Sequence, residues 1–300
     1  MLAGCSASKY VQEGEYILNK VEVKSDSAAY DAGALKQYVR QKEKPKLFSL
    51  FHNPFSKKPV VYDTLQAQLS CRDLLTAMQN QGFLHAGVTL QTEIHGQEKT
   101  DSTAEKSRKK APKVDVTYML HPGEPFHIGK VEYDIEDKNI EQILKLDEPE
   151  NQKIKPGMRF TVDALDAERK RIANRLLDDG YFRFNKDFIQ FSADTIAGQK
   201  DIAVTLNLLK YKASSNAPET DHPRYEIRNI SYQSNDSDRI HLRHRVLLNA
   251  TALEEGKPYS ASALQRTYNN FARLQAVKYT NIRFSEVAGN EIDSASVSTS

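Results

Sequence analysis

The chain has 300 residues, 39% hydrophobic and 9% aromatic, which is enough apolar surface for several modest cores and excludes wholesale disorder. Lys and Arg total 42 against 40 Asp and Glu, and the net charge of +2 leaves no overall electrostatic footprint for nucleic acid. No apolar window of about 18 residues is present to cross a membrane as a helix, and two cysteines make no disulfide scaffold.

Residues 1–14 open with Leu2-Ala3-Gly4-Cys5, small residues leading to a cysteine in the pattern of a bacterial lipobox, where the cysteine sulfur takes a diacylglyceryl group. Polar Ser6 to Lys9 follow as a tether, and the basic and apolar parts of a signal are expected upstream of Met1. Cys5 is the candidate lipidation site.

A longer pattern then begins. Tyr16-x-Leu18-x-x-Val21-x-Val23 returns as Phe126-x-Ile128-x-x-Val131-x-Tyr133 and again as Tyr225-x-Ile227-x-x-Ile230-x-Tyr232. Its copies are a small domain apart, much farther than solenoid repeats. Three modules in series are predicted, at 15–122, 123–212 and 224–300, with a short hinge at 213–223.

In the first module an insertion at 42–61 interleaves Lys46, Lys57 and Lys58 with Phe48, Phe51 and Phe55. That composition suits a membrane surface or a partner, or a loop that tucks its aromatics under its own domain. Tyr62-Asp63 opens a helix that ends at Gly82-Phe83-Leu84, with Cys71 beside Leu74, Leu75 and Met78 on the apolar face as a buried, unreactive thiol. Two strands follow, carrying Val88, Leu90, Thr92 and Ile94, then Val114, Val116, Tyr118 and Leu120, around a polar hairpin loop at 96–112.

The second module shows the plan most fully. An alternating strand at 126–134 precedes a short helix at 138–146, where Ile140, Ile143 and Leu144 keep helical spacing, and Lys155-Pro156-Gly157 breaks the chain. Thr161 is placed to cap a second helix, with Phe160 and Leu165 set as a hydrophobic staple, and Gly180-Tyr181-Phe182 closes it. A second strand is expected at 184–191, and a third with Ile202, Val204, Leu206 and Leu208 on one face. In the third module Tyr259-Ser260 and Leu264 repeat the staple, but Val277 replaces the closing glycine. By the spacing of the second module, its last strand would begin where the chain ends. The third module is therefore predicted to be incomplete, in the N-terminal part of a longer protein.

The predicted fold class is α+β: in each module a small mixed three-stranded sheet, in the order strand, helix, helix, strand, strand, covered on one face by the helix pair. The other face and one edge stay open, and an open edge offers main-chain groups to an extended peptide. The candidate partner-binding edges are Val88, Leu90, Thr92 and Ile94, and Phe188, Ile189, Gln190 and Phe191.

A repeated unit of this order whose second helix ends in glycine and an aromatic resembles the polypeptide-transport-associated (POTRA) domain of the Omp85 superfamily of outer-membrane assembly proteins. Three such units behind Cys5 and Lys9-Tyr10-Val11-Gln12-Glu13-Gly14-Glu15-Tyr16 are similar to the lipid-anchored TamA-like proteins (TamL) of the Bacteroidetes. Leu165-Asp166-Ala167-Glu168-Arg169-Lys170-Arg171-Ile172 and Asp179-Gly180-Tyr181 fit that branch, and the resemblance runs from Cys5 to about Phe284. It implies a lipid-anchored arm on the periplasmic side of the outer membrane, with a C-terminal barrel outside this chain. The implied partners are an inner-membrane-anchored TamB-like protein and unfolded outer-membrane protein clients, held by strand addition. A two-partner secretion arm and a general BamA-type foldase arm are the implied alternatives, and three modules favour the TamA-like branch.

An enzyme is the competing class, and the sequence advertises none of its parts. His241-x-x-His244 is crowded by Arg239, Arg243 and Arg245 with no acidic third ligand. Asp163, Asp166 and Glu168 read as exposed ion-pair partners of Arg169, Lys170 and Arg171. Neither a phosphate-binding glycine loop nor a Gly-x-Ser-x-Gly elbow occurs. No catalytic residue, metal or cofactor is assigned, and an uncharacterised periplasmic enzyme is the remaining reading.

Overall fold

The computed structural model describes residues 11–12, 14–43, 59–96, 112–147, 149–195, 200–234, 242–287 and 291–299. Three three-stranded sheets follow one another along the chain, each with its last strand in the middle. In the first, β1 (Ile17–Ser25) runs parallel to β3 (Lys113–His121), and β2 (Gly87–His95) pairs antiparallel with β3 on the other side. In the second, β6 (Asp201–Leu208) lies between β4 (His127–Asp134) and β5 (Ile189–Thr195). In the third, β9 (Glu291–Thr299) lies between β7 (Glu226–Ser234) and β8 (Tyr279–Val287), again parallel to the first strand and antiparallel to the second. The chain divides into two compact units, residues 1–127 with 159–163, and residues 128–158 with 164–300, so the second and third sheets share a unit.

The helices are α1 (Thr64–Asn80) in the first unit, and α2 (Lys138–Lys145), α3 (Val162–Asp178), α4 (His244–Ala250) and α5 (Ala261–Ala272). Their starts are written locally. Asp63 accepts from the N–H groups of Leu65 and Gln66, Asp137 from those of Asn139 and Ile140, and Ser260 from that of Ala263, so side chains satisfy donors of the first turn. Phe160 and Leu165 are both buried, as the staple requires. α1 and α3 are each 17 residues long, whereas α5 has 12 and ends at Ala272, well before Val277.

The repeated pattern marks a main-chain clasp. The carbonyl of its first aromatic accepts the N–H of the aromatic that precedes the long helix: Tyr16 from Tyr62 at 2.8 Å, Phe126 from Phe160 at 2.9 Å, Tyr225 from Tyr259 at 3.0 Å. Two residues on, Leu18, Ile128 and Ile227 donate to the carbonyls of Val60, Met158 and Lys257 and bury their side chains. The second and third copies also reach back to a helix end, because Phe126 donates to the Gly82 carbonyl at 2.8 Å and Tyr225 to that of Gly180 at 2.7 Å. Gly82 and Gly180 have φ of +92° and +101°, where a side chain is strained. Space forbids one too, since a Cβ would lie 2.2 Å from the Phe160 carbonyl oxygen at Gly82 and 3.1 Å from that of Tyr225 at Gly180.

A buried polar side chain sits at one fixed place in each long helix. Ser70, Glu168 and Thr267 are each fully shielded, and each accepts a main-chain N–H from the connection in front of its helix: Arg40 at 3.1 Å, Lys153 at 2.7 Å and Ala252 at 2.9 Å. Each thereby satisfies a donor that packing removes from water. In the second sheet the plug is charged. Arg171 bonds both Glu168 oxygens, at 3.0 and 2.8 Å, and also Asp147. Burial disfavours the Arg171 cation, but its bonds to Glu168 and Asp147 outweigh that and raise its pKa. Burial together with the Glu168 charge pushes the Tyr133 phenol up to about 12.

Four expectations are corrected. Glu168 is not on an exposed flank, because the connection before α3 folds over it; Asp166 is on the surface, paired with Lys170 and Lys186. In the first sheet a 3-10 segment, Gly33–Tyr38, stands where a first helix was expected, and Leu35 and the following Val39 supply its core contribution. The second strand of the second sheet begins at Ile189 rather than 184, because Tyr181 to Phe188 are used in turns. That overlong spacing is also why the third sheet looked incomplete. β8 and β9 are joined by residues 288–290 alone, and the serine-rich stretch from Ser294 is strand, so the last strand is present. Cys71 is half-buried, with burial raising its thiol pKa.

Two stability tests follow from this packing. Gly82→Ala should destabilise the first unit by about 3 kcal/mol or more, combining positive φ with a main-chain clash, and Gly180→Ala should cost about 1–2 kcal/mol. Denaturant midpoints within error of wild type would contradict the clasp. Glu168→Ala, which leaves Arg171 with Asp147 alone and the Lys153 N–H unmet, should cost about 3–5 kcal/mol, more than Thr267→Ala, which removes only a neutral bond.

Candidate partner-binding edges

Each sheet has two edge strands, and on β2, β5 and β8 the outer side has no strand partner along its length among the described residues. The opposite edge is covered at the start of β1, β4 and β7 by the clasp segments. The helix-free face of the first sheet satisfies itself. Asp26, His121 and Thr89 are linked across all three strands, His121 Nδ1 to Asp26 at 2.6 Å and Nε2 to Thr89 at 3.0 Å. Asn19, Asp115 and His95 form a second such chain, at 2.6 and 3.2 Å.

On β2, Val88 and Leu90 lean on the first core, while Thr92 and Ile94 are exposed, Ile94 by 44%. These four alternate along the helix-facing side, next to α1. On the second edge, Phe188 belongs to a 3-10 turn and is not in the strand. Ile189 is core, Gln190 is exposed, and Phe191 is half-buried with the Arg169 guanidinium over its ring at 5.3 Å. Arg169 was expected in a surface ion pair, and its real neighbour is an edge aromatic. No signal in the sequence marks it, because the buried polar residue that it follows is itself set by the fold. Cys5, Lys46, Phe48, Phe51, Phe55, Lys57, Lys58 and His241 lie outside the described residues.

The segment expected as a hinge is folded. Tyr211 and Thr220 exchange two main-chain bonds of 3.0 Å, closing a hairpin, and the His222 ring inserts among Phe184, Phe188 and Tyr211 with Nε2 at 2.9 Å from the Leu209 carbonyl. Arg224 then donates to the Asp179 carbonyl at 2.6 Å, and Asp178 accepts from Ser260 and from the Ser262 N–H, so the end of α3 holds the start of α5. Phe182 inserts among Tyr225, Tyr259 and Phe284 of the third core. Beside this joint lies a groove of about 920 Å³. Its lining includes Tyr181, Tyr211, His222 and the Arg183–Glu286 ion pair. Burial lowers the His222 pKa from its usual 6.5, against the bond to Leu209 and the nearby charges of Asp137 and Asp221.

No protein-family model matches the chain, and no characterised protein matches it by sequence. Among solved structures it is similar to BamA POTRA3-5 of Haemophilus influenzae, at 15% identity over 97% of this chain and 99% of that one, with a TM-score of 0.44. It is similar to POTRA1-3 of the periplasmic domain of Omp85 from Anabaena, at 11% identity over 96% of each chain and a TM-score of 0.30. BamA from Haemophilus ducreyi lacking POTRA domains 1-3 matches at 16% identity over 58% of this chain and 29% of that one, with a TM-score of 0.40. All three TM-scores are below 0.5, so function is read from the chain's own topology and residues.

The His222 geometry gives a pH test. Below pH 6.5 the unfolded chain binds a proton that the folded imidazole resists, so the second unit should lose stability as pH falls from 6.5. His222→Phe keeps a ring in the slot and should remove that component between pH 7 and 5. An unchanged pH slope in the variant would contradict it.

Proposed function

We propose that this chain is the periplasmic arm of an outer-membrane protein assembly or translocation factor of the Omp85 superfamily, closest to the lipid-anchored TamA-like (TamL) branch. One observation carries the reading. Three successive sheets share one connection order, and in each the strand antiparallel to the central one, β2, β5 or β8, has an outer side without a strand partner among the described residues. An added strand bonds to such an edge through its main chain, which tolerates sequence and suits varied clients.

In this reading residues 15–122, 123–212 and 224–300 are POTRA-like modules, and the 213–223 segment is a folded joint. Cys5 carries the lipid, and a TamB-like inner-membrane-anchored partner and unfolded barrel proteins are the docking species. The role is binding and not catalysis. Support comes from the motif recurrence, the common sheet order and the open edges.

The test is capture by the purified chain, at micromolar concentration, of a TamB-like C-terminal segment and of unfolded barrel peptides. Binding of either supports the reading, and binding of neither overturns it. Lipidation is tested separately by mass spectrometry of the protein expressed with its native upstream region, where an unacylated Cys5 would remove the anchor.

A further inference from the structure

The three outer edges look alike in topology and differ at one side chain of the helix above them. Leu90 of β2, Phe191 of β5 and Ile282 of β8 hold the same place in their sheets, opposite Tyr118, Leu206 and Ser296 of the central strands. Cys71, Arg169 and Tyr268 likewise follow the buried polar residues Ser70, Glu168 and Thr267 in their helices.

What that position does differs in kind. In the third sheet the Tyr268 hydroxyl accepts the Ile282 N–H at 3.1 Å, so the chain spends an outward donor of its own edge internally. In the first, Cys71 is a half-buried thiol whose pKa burial raises, so it presents no charge. In the second, Arg169 holds its cation over Phe191. Its Nε is shielded from solvent and finds no hydrogen-bond acceptor among the described residues. Neighbouring cations of α3 are matched by carboxylates: Lys170 by Asp166, Arg171 by Glu168 and Asp147, Arg175 by Asp179.

We infer that β5, with Arg169 above it, is the edge this chain uses for docking, and that its occupant is an extended polypeptide segment presenting a carboxylate to Arg169. The inference rests on the strand-addition reading above and specifies its site and partner chemistry. A strand added to β5 alternates its side chains between the two faces, and its helix-side residue beside Phe191 lies under the guanidinium. A carboxylate there gains a charge-assisted hydrogen bond while the ring stays beneath the cation. An apolar residue leaves the donor unmet, and a Gln amide oxygen accepts a bond without the charge assistance.

The experiment uses the full chain and two labelled ten-residue peptides of alternating Val and Thr, one with a central Glu and one with Gln in its place, read by fluorescence anisotropy at low salt. The Glu peptide should bind about fivefold tighter or more, with the preference shrinking as salt is raised. Arg169→Gln should abolish the preference, and Arg169→Glu should turn it toward a Lys peptide. Ala193→Pro, on the same side of the edge strand as Phe191, should weaken binding of both peptides. Equal binding of Glu and Gln peptides, or a preference that survives Arg169→Gln, overturns the carboxylate inference and leaves strand addition standing if Ala193→Pro still blocks both. Binding of neither peptide, or no effect of Ala193→Pro, overturns docking on β5 itself.

Discussion

Everything else in this molecule depends on a few main-chain hydrogen bonds made by the first residue of each repeat. Phe126 and Tyr225 each give their N–H to a helix-ending glycine and their carbonyl to the aromatic that opens the next long helix. One residue thus ties the end of one helix to the start of another, with the new strand between them. Side chains could not enforce this so narrowly, because a carbonyl and an N–H of one residue have fixed directions. The glycine is required by the same geometry, since both its positive φ and the carbonyl packed against its Cα leave no room for a Cβ.

The clasp makes the two edges of each sheet unequal. It covers the beginning of the first strand, whereas the outer side of the second strand has no strand partner among the described residues. The buried polar residue of the long helix then fixes the connection in front of that helix, so the helix lies at a constant place over the sheet. In the second and third sheets the residue after it reaches the edge strand. Cysteine, arginine and tyrosine at that one position turn three copies of a fold into edges of different chemistry.

Much of this was legible in the sequence. The threefold four-position pattern, the caps at Asp63 and Ser260, the glycine stops and the alternation of β3 and β6 all follow from local rules, and local rules read well one residue at a time. What stayed hidden needed tertiary information. Glu168 looks like any acidic residue in a charged helix, and only the loop folded over it makes it core. The serines of β9 carry no hydrophobic period, so a strand held between two neighbours read as a polar tail. The 213–223 stretch has the composition of a linker, but His222 pins it through a slot that only distant aromatics create. Of the candidate site, the two edges were visible, whereas Arg169 was not, because its contact is with a ring 22 positions away across the α3–β5 turn.

Native-state amide hydrogen exchange at Phe126, Phe160, Tyr225 and Tyr259 tests the clasp most directly. These four amides sit at strand starts and helix entrances, where exchange is ordinarily fast. The clasp predicts protection close to that of central-strand amides such as Val116 and Val204. Exchange at loop-like rates at these four positions, with the central strands still protected, would contradict it.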